Sequence, residues 1–190
     1  YLPTKLNFLR AHTHQLDEAS ALQFCLAMEP HTQLTQLEIG TSMTYEGVKE
    51  RWLQWMKNSL VNQITLMPIH IECASIMATT LPHMKNLRSL SHNLVGLHSD
   101  WLPPNLVGCT LLTNLNLTQV PCSPAMIEAL EPLTCLRDLT VICPSPIPAS
   151  LFNLHWPDLS KLWLSAVHAD ALPNFADFLE GHPHLSLLST

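Results

Sequence analysis

Apolar residues in this chain recur in a short pattern, apolar-x-x-apolar-x-apolar. Clear copies are Leu34-Leu37-Ile39, Ile64-Met67-Ile69, Leu112-Leu115-Leu117, Leu136-Leu139-Val141 and Leu159-Leu162-Leu164. Weaker copies are Leu6-Leu9-Ala11 and Leu87-Leu90-His92, and a last one begins at Leu185-Leu188. First positions fall at 6, 34, 64, 87, 112, 136, 159 and 185, giving intervals of 28, 30, 23, 25, 24, 23 and 26 residues. Positions four and six are two apart, the period of a strand, so both side chains share one face. Each interval is long enough for a crossover, which predicts a parallel sheet with its strands in chain order. A unit this small cannot bury its own leucines, so neighbouring units must stack.

The segments between these strands carry a helical spacing of apolar positions. Residues 19–29 predict a helix with Ser20 as N-cap and Leu22, Cys25, Leu26 and Met28 apolar. Residues 46–61 predict a longer one through Val48, Trp52, Trp55, Met56 and Leu60. Residues 74–85 turn Ile76, Met77, Leu81 and Met84 inward. Residues 123–134 open on Ser123-Pro124, with proline at the first helical position, and bury Ile127, Leu130 and Leu133. Residues 172–181 start near Pro173 and carry Phe175, Phe178 and Leu179, with Gly181 as a natural residue past the helix end. Pro103-Pro104 in 97–110, and Pro144, Pro146 and Pro148 in 144–157, predict extended or 3₁₀-like passages. Pro68 predicts a local break in the third strand.

Composition narrows the class. Of 190 residues, 36 are leucine and only 13% are charged, about half the ~25% usual for soluble domains. No apolar run approaches the ~18 residues of a membrane helix, and the first residues show no secretory leader. The net charge of −6 speaks against nucleic-acid binding. The six cysteines are scattered and read as reduced, buried thiols, which places the chain inside the cell, in cytoplasm or nucleus.

Eight such units resemble the leucine-rich repeat superfamily, specifically its longer ribonuclease-inhibitor-like repeats. The mean spacing of about 25.6 residues lies within that class's range. The resemblance covers nearly the whole chain and implies an α/β fold: a right-handed solenoid with a parallel sheet on the concave side and helices or extended segments on the convex side. Residues 1–190 then form a single domain of seven to eight repeats. The Asn or Cys that typical members carry at position nine is missing here, where His14, Ser42, Glu72, Val95, Val120, Pro144 and Val167 stand. The style is similar to the repeat halves of F-box substrate receptors. The chain starts five residues before the first pattern and stops inside the last, so a longer parent protein or a closing partner is expected.

Catalytic and ligand motifs do not emerge. No nucleophile elbow, P-loop or dinucleotide glycine pattern is present, and five glycines leave little material for phosphate-cradling loops. His12-x-His14, His70-x-x-Cys73 and His182-x-His184 are the nearest metal-ligand spacings, and the terminal pairs would sit at opposite ends of the stack. We expect no cofactor, no metal and no enzyme activity.

Function is therefore sought on the outward face of the sheet. Alternation sends positions three, five and seven outward: Phe8, Arg10 and His12, Gln36, Glu38 and Gly40, Leu66, Pro68 and His70, Ser89, Ser91 and Asn93, Asn114, Asn116 and Thr118, Asp138, Thr140 and Ile142, Lys161, Trp163 and Ser165, then Leu187 and Ser189. The middle of this face is a neutral hydrogen-bonding patch. Its far end gathers Ile142, Trp163 and Leu187 in successive strands, the composition of a binding hot spot. Ser91, Asn114, Asn116, Asp138, Ile142, Lys161 and Trp163 are the candidate partner-binding residues. The function this implies is a non-catalytic protein-interaction scaffold, with no nucleic-acid or membrane partner. The resemblance implies the substrate-recognition part of an F-box ubiquitin-ligase adaptor. The alternative is a sensor or autoinhibitory repeat module of a nucleotide-binding immune-type receptor.

Overall fold

The computed structural model describes residues 6–11, 16–39, 45–66, 77–93 and 102–189. Eight strands form one sheet: β1 (Phe8–Ala11), β2 (Gln36–Ile39), β3 (Gln63–Leu66), β4 (Ser89–Asn93), β5 (Asn114–Thr118), β6 (Asp138–Ile142), β7 (Lys161–Leu164) and β8 (Leu187–Ser189). They lie side by side in chain order, and every neighbouring pair is parallel. The returns carry α1 (Glu18–Met28), α2 (Glu46–Asn58), α3 (Leu102–Leu106), α4 (Pro124–Leu130) and α5 (Leu172–Gly181). Among the described residues, 77–80 are also helical, and there are three 3₁₀ turns, Leu81–His83, Ala149–Asn153 and Ala169–Ala171. No helix among the described residues is long and apolar enough to cross a membrane.

The register aligns the fourth positions into one row, Leu9, Leu37, Ile64, Leu90, Leu115, Leu139, Leu162 and Leu188. Those from Leu37 to Leu162 are buried. This register corrects the third unit. Ile64 is its fourth position rather than its first, so the pattern there is Val61-Ile64-Leu66. Leu66, expected outward, is fully buried, and Gln63 and Thr65 occupy the outward places. The misreading arises because Met67 and Ile69 continue the apolar run. Starting at Val61 evens the two flanking intervals to 27 and 26 residues.

Two backbone devices recur at the start of each strand. Leu34, Leu87, Leu112, Leu136, Leu159 and Leu185 each donate their amide to the carbonyl three residues back, at 3.0–3.2 Å. The residues that supply those carbonyls, His31, Met84, Cys109, Leu133, Trp156 and His182, are all buried. Next, the second-position carbonyls of Asn7, Thr35, Asn62, Arg88, Thr113 and Arg137 each accept two amides of the following unit, at 2.7–3.1 Å. Hydroxyls join them: Thr35 donates to Asn7, Thr113 to Arg88, Ser160 to Arg137 and Ser186 to Ser160, at 3.0–3.2 Å. Backbone groups that a short strand would leave unpaired are thereby satisfied.

The return segments bear out some expectations and correct others. The N-cap of α1 is Asp17, whose carboxylate accepts from the Ser20 amide at 2.7 Å. Ser20 is thus inside the first turn. An aspartate cap also complements the positive helix end. Ala21, Cys25 and Met28 form its buried stripe, while Leu22 and Leu26 face outward, Leu26 at 44% exposure. In α2, Val48, Trp52, Trp55 and Met56 are buried, and the helix stops before Leu60, which is exposed. Phe24 of α1 stacks on Trp52 at 6.3 Å, joining the two helices. Met77, Leu81 and Met84 are inward as expected. Ser123 caps α4 with Pro124 following it. Pro103 and Pro104 do not prevent helix: they sit in the first turn of α3, where their missing amides would have no partner. The proline-rich segment after β6 does form a 3₁₀ turn. Gly181 is the last residue of α5, and His182 is the cap. Pro68, Ile76, His12, His14, His70 and Cys73 lie outside the described residues.

Position six carries Ile39, Leu66, Leu117, Val141 and Leu164, all buried, and in their midst His92, also fully buried. Burial pushes the His92 imidazole down from 6.5 to about 4. The folded chain therefore refuses a proton that the unfolded chain accepts once pH falls below the ordinary value. Stability should be insensitive to this group above pH 6.5 and decline toward pH 4, with a slope of at most about 1.4 kcal/mol per pH unit. Urea denaturation across this range should show a shallower decline for His92→Leu than for the parent chain. Equal slopes would mean that His92 protonates freely when folded.

Leu115 touches the register row on both sides, through Leu90 and Leu139. Leu115→Ala should cost about 2–5 kcal/mol, and the loss should spread to the neighbouring strands. Hydrogen exchange should quicken in both β4 and β6. Unchanged protection in both would show that the units stand independently.

Candidate functional site

The outward face of the sheet presents two aligned rows. One is Phe8, Gln36, Gln63, Ser89, Asn114, Asp138, Lys161 and Leu187. The other is Arg10, Glu38, Thr65, Ser91, Asn116, Thr140, Trp163 and Ser189. Ser89, Ser91, Asn114, Asn116, Asp138 and Thr140 line a hollow of about 250 Å³ across β4, β5 and β6. Four sequence candidates, Ser91, Asn114, Asn116 and Asp138, thus come together. Ser89 and Thr140 complete the hollow. Their outward positions were legible, but nothing in the sequence said that these strands would form a concavity.

Asp138 is the hub of a hydrogen-bond chain. The Thr113 hydroxyl, within reach of the Arg88 carbonyl as well, lies 2.8 Å from the Asn114 side-chain oxygen and can give its proton to one of the two, and Asn114 Nδ2 donates to Asp138 Oδ2 at 2.8 Å. Lys161 Nζ reaches the same carboxylate oxygen at 3.5 Å, the lateral pairing that the sequence suggested. Ser160 Oγ, whose proton points to the Arg137 carbonyl at 3.2 Å, lies 3.5 Å from Asp138 Oδ1. Asn116 accepts from Thr118 Oγ1 at 3.0 Å, which directs its amide N–H groups away from that bond. The hydroxyls of Ser89, Ser91 and Thr140 and the Asn116 amide nitrogen have no partner among the described residues. They remain available to a ligand that offers hydrogen bonds.

Trp163 is exposed at 51%, beside Thr140 and Ser189 in its row. Its expected neighbours are displaced. Ile142 pairs with Thr118 and is half-buried, two residues beyond the level of Trp163. Leu187 pairs with Lys161, and its side chain lies outside the described residues. Both stand diagonally from Trp163, because they occupy positions seven and three while Trp163 occupies five. The directly adjacent surface is polar.

At the other end Glu38, expected outward and solvated, is only 9% exposed. The Arg10 guanidinium covers it, with Nε donating to Oε2 at 2.7 Å, and sits 5.9 Å from the Phe8 ring. The charges of the two outward rows are therefore internally paired, Arg10 with Glu38 and Lys161 with Asp138.

The thiols and imidazoles have structural surroundings. Cys25, Cys109, Cys122, Cys135 and Cys143 are free thiols, although Cys122 and Cys135 are only partly buried. Burial pushes Cys25 and Cys109 up to about 11, so they stay protonated near neutrality and are poor nucleophiles. Cys122 is raised by its hydrogen bond to Cys143 and by burial. His182 is buried, with Nδ1 2.7 Å from the Phe178 carbonyl and Nε2 accepting the Trp156 amide at 3.1 Å. That uses both ring nitrogens. Among the described residues no group of three or more His, Cys, Asp or Glu side chains is placed to hold a metal ion.

Asp138 and Lys161 are partly solvated, so their attraction is modest. A double-mutant cycle with Asp138→Ala and Lys161→Ala should give a coupling of about 0.2–1 kcal/mol that shrinks with added salt. A larger, salt-insensitive coupling would show that the pair is shielded from water.

No protein-family model matches the chain, and no curated protein matches its sequence.

Proposed function

We propose that this chain is a divergent leucine-rich repeat solenoid, right-handed, whose concave sheet face binds a protein partner without catalysis. The observation that carries the reading is a hollow in which the hydroxyls of Ser89, Ser91 and Thr140 and the Asn116 amide nitrogen have no partner among the described residues, set beside a half-exposed tryptophan. Aromatic anchors ringed by near-neutral polar contacts supply much of the energy at protein interfaces. The paired charges on this face leave little net charge to repel or select a partner, so hydrogen bonding and the indole carry recognition. The all-parallel sheet in chain order supports the solenoid. The free thiols support an intracellular location, cytoplasmic or nuclear. The resemblance to F-box receptors supports a substrate-selecting adaptor role.

The test separates recognition from stability. Trp163→Ala should weaken binding of a co-purified partner by at least about 2 kcal/mol and leave the melting temperature nearly unchanged, since the ring is half solvated. Asn116→Ala should weaken binding less. Affinity that survives Trp163→Ala would remove this face as the interface. A large fall in melting temperature would make the indole a packing element instead.

A further inference from the structure

A second concavity lies away from the outward face, where the end of α2 meets the turn leading into β4. It measures about 520 Å³, and its lining includes Lys57, Ser59, His83, Lys85 and Asn86. Two lysines and an imidazole line it, and the described lining holds no carboxylate.

The wider charge distribution sharpens this. Arg10, Arg51, Arg137 and Lys161 each have an ion-pair partner. Lys57, Lys85 and Arg88 have none among the described residues. Lys57, in the last turn of α2, and Lys85, on the approach to β4, line the cleft together, and Arg88 follows Lys85 by three residues. The described stretches 52–66, 77–93 and 102–127 contain no aspartate or glutamate at all. Among the described residues the middle of this chain of net charge −6 thus carries cations without a described ion-pair partner, while Glu72 and Asp100 lie outside the described residues. Acids farther away than a Debye length of about 8 Å are largely screened. At the nearest helix end the Met56 carbonyl accepts from the Ser59 hydroxyl at 3.0 Å, and the negative helix terminus offsets part of the Lys57 charge.

We infer that this cleft receives the carboxylates of an acidic segment of a protein partner. Its volume exceeds what one small anion fills, and its cations spread along an edge. Asn86 at its rim stands three residues before Ser89, which lines the hollow on the outward face. Two lysines and an imidazole are too few for the phosphate array of a nucleic acid. The inference does not depend on the outward-face reading.

The probe is fluorescein-labelled hexaglutamate, titrated with the intact chain at low salt and followed by anisotropy, against hexaglutamine as the neutral control. Hexaglutamate should bind and hexaglutamine should not, with affinity falling several-fold as salt rises from about 50 to about 200 mM. The double variant Lys57→Gln with Lys85→Gln should weaken binding at least about tenfold. Both lysines are exposed, and a thermal melt verifies that the variant folds. Lys161→Gln and Trp163→Ala should leave hexaglutamate binding unchanged, which separates this cleft from the outward face. Lys85→Glu should abolish binding. Equal affinity for the two peptides, or parent-like binding by the double variant, would overturn the inference. Full displacement by inorganic phosphate, beyond that caused by sodium chloride of equal ionic strength, would also overturn it in favour of a small-anion site.

Discussion

One carbonyl in each unit, at the position just before the strand, accepts two amide protons from the unit that follows. A strand of four or five residues has few ladder bonds to hold it, so how its first amides are satisfied decides whether it can exist. The shared carbonyl supplies that satisfaction and sets the register at the same time. Once the register is set, the fourth and sixth positions align into continuous apolar rows, and the return segments are left to cover them. The α-helices, 3₁₀ turns and extended passages that do so vary freely from unit to unit, because the sheet does not depend on which is used. A buried residue three places before each strand's leading leucine closes the turn.

The order and direction of the strands were legible in the sequence because both follow from spacing alone, and spacing survives substitution. The register of β3 was not. Met67 and Ile69 extend the apolar run past Leu66, so the pattern fits equally well three residues too late, and only pairing with Leu37 and Leu90 selects Ile64. Glu38 was misjudged for a different reason: its burial depends on Arg10, 28 residues earlier, and a one-strand argument cannot see across the ladder. The prolines of α3 misled because a proline pair interrupts a helix only away from its first turn. On the site, alternation sorted the outward residues of β4 to β7 correctly. The diagonal offset between Trp163 and its apolar neighbours was already contained in their positions, five against seven for Ile142 and three for Leu187.

The molecule's polarity is graded along the chain. Acidic residues are absent from the described stretches between 52 and 127 and return at Glu128. The outward face mirrors this, with paired charges toward both ends and neutral hydroxyls and amides between. A partner laid across the sheet would meet fixed ion pairs first and unpaired hydrogen-bonding groups in the centre. The paired charges at the rim would select little, while the centre would reward shape and hydrogen-bond fit.

The second-position residue performs its structural task with its backbone. Asn7, Thr35, Asn62, Arg88, Thr113, Arg137 and Ser160 all serve equally as acceptors, although their side chains share neither size nor charge. Apart from the hydroxyls of Thr35, Thr113, Ser160 and Ser186, which add a bond to the preceding unit, the side chain at that place is released from the demands of folding. One margin of the sheet becomes a strip on which a single residue per unit can change sign or polarity without disturbing the core beneath it. Evolution, or an engineer, can alter what this margin attracts while the architecture stays as it is.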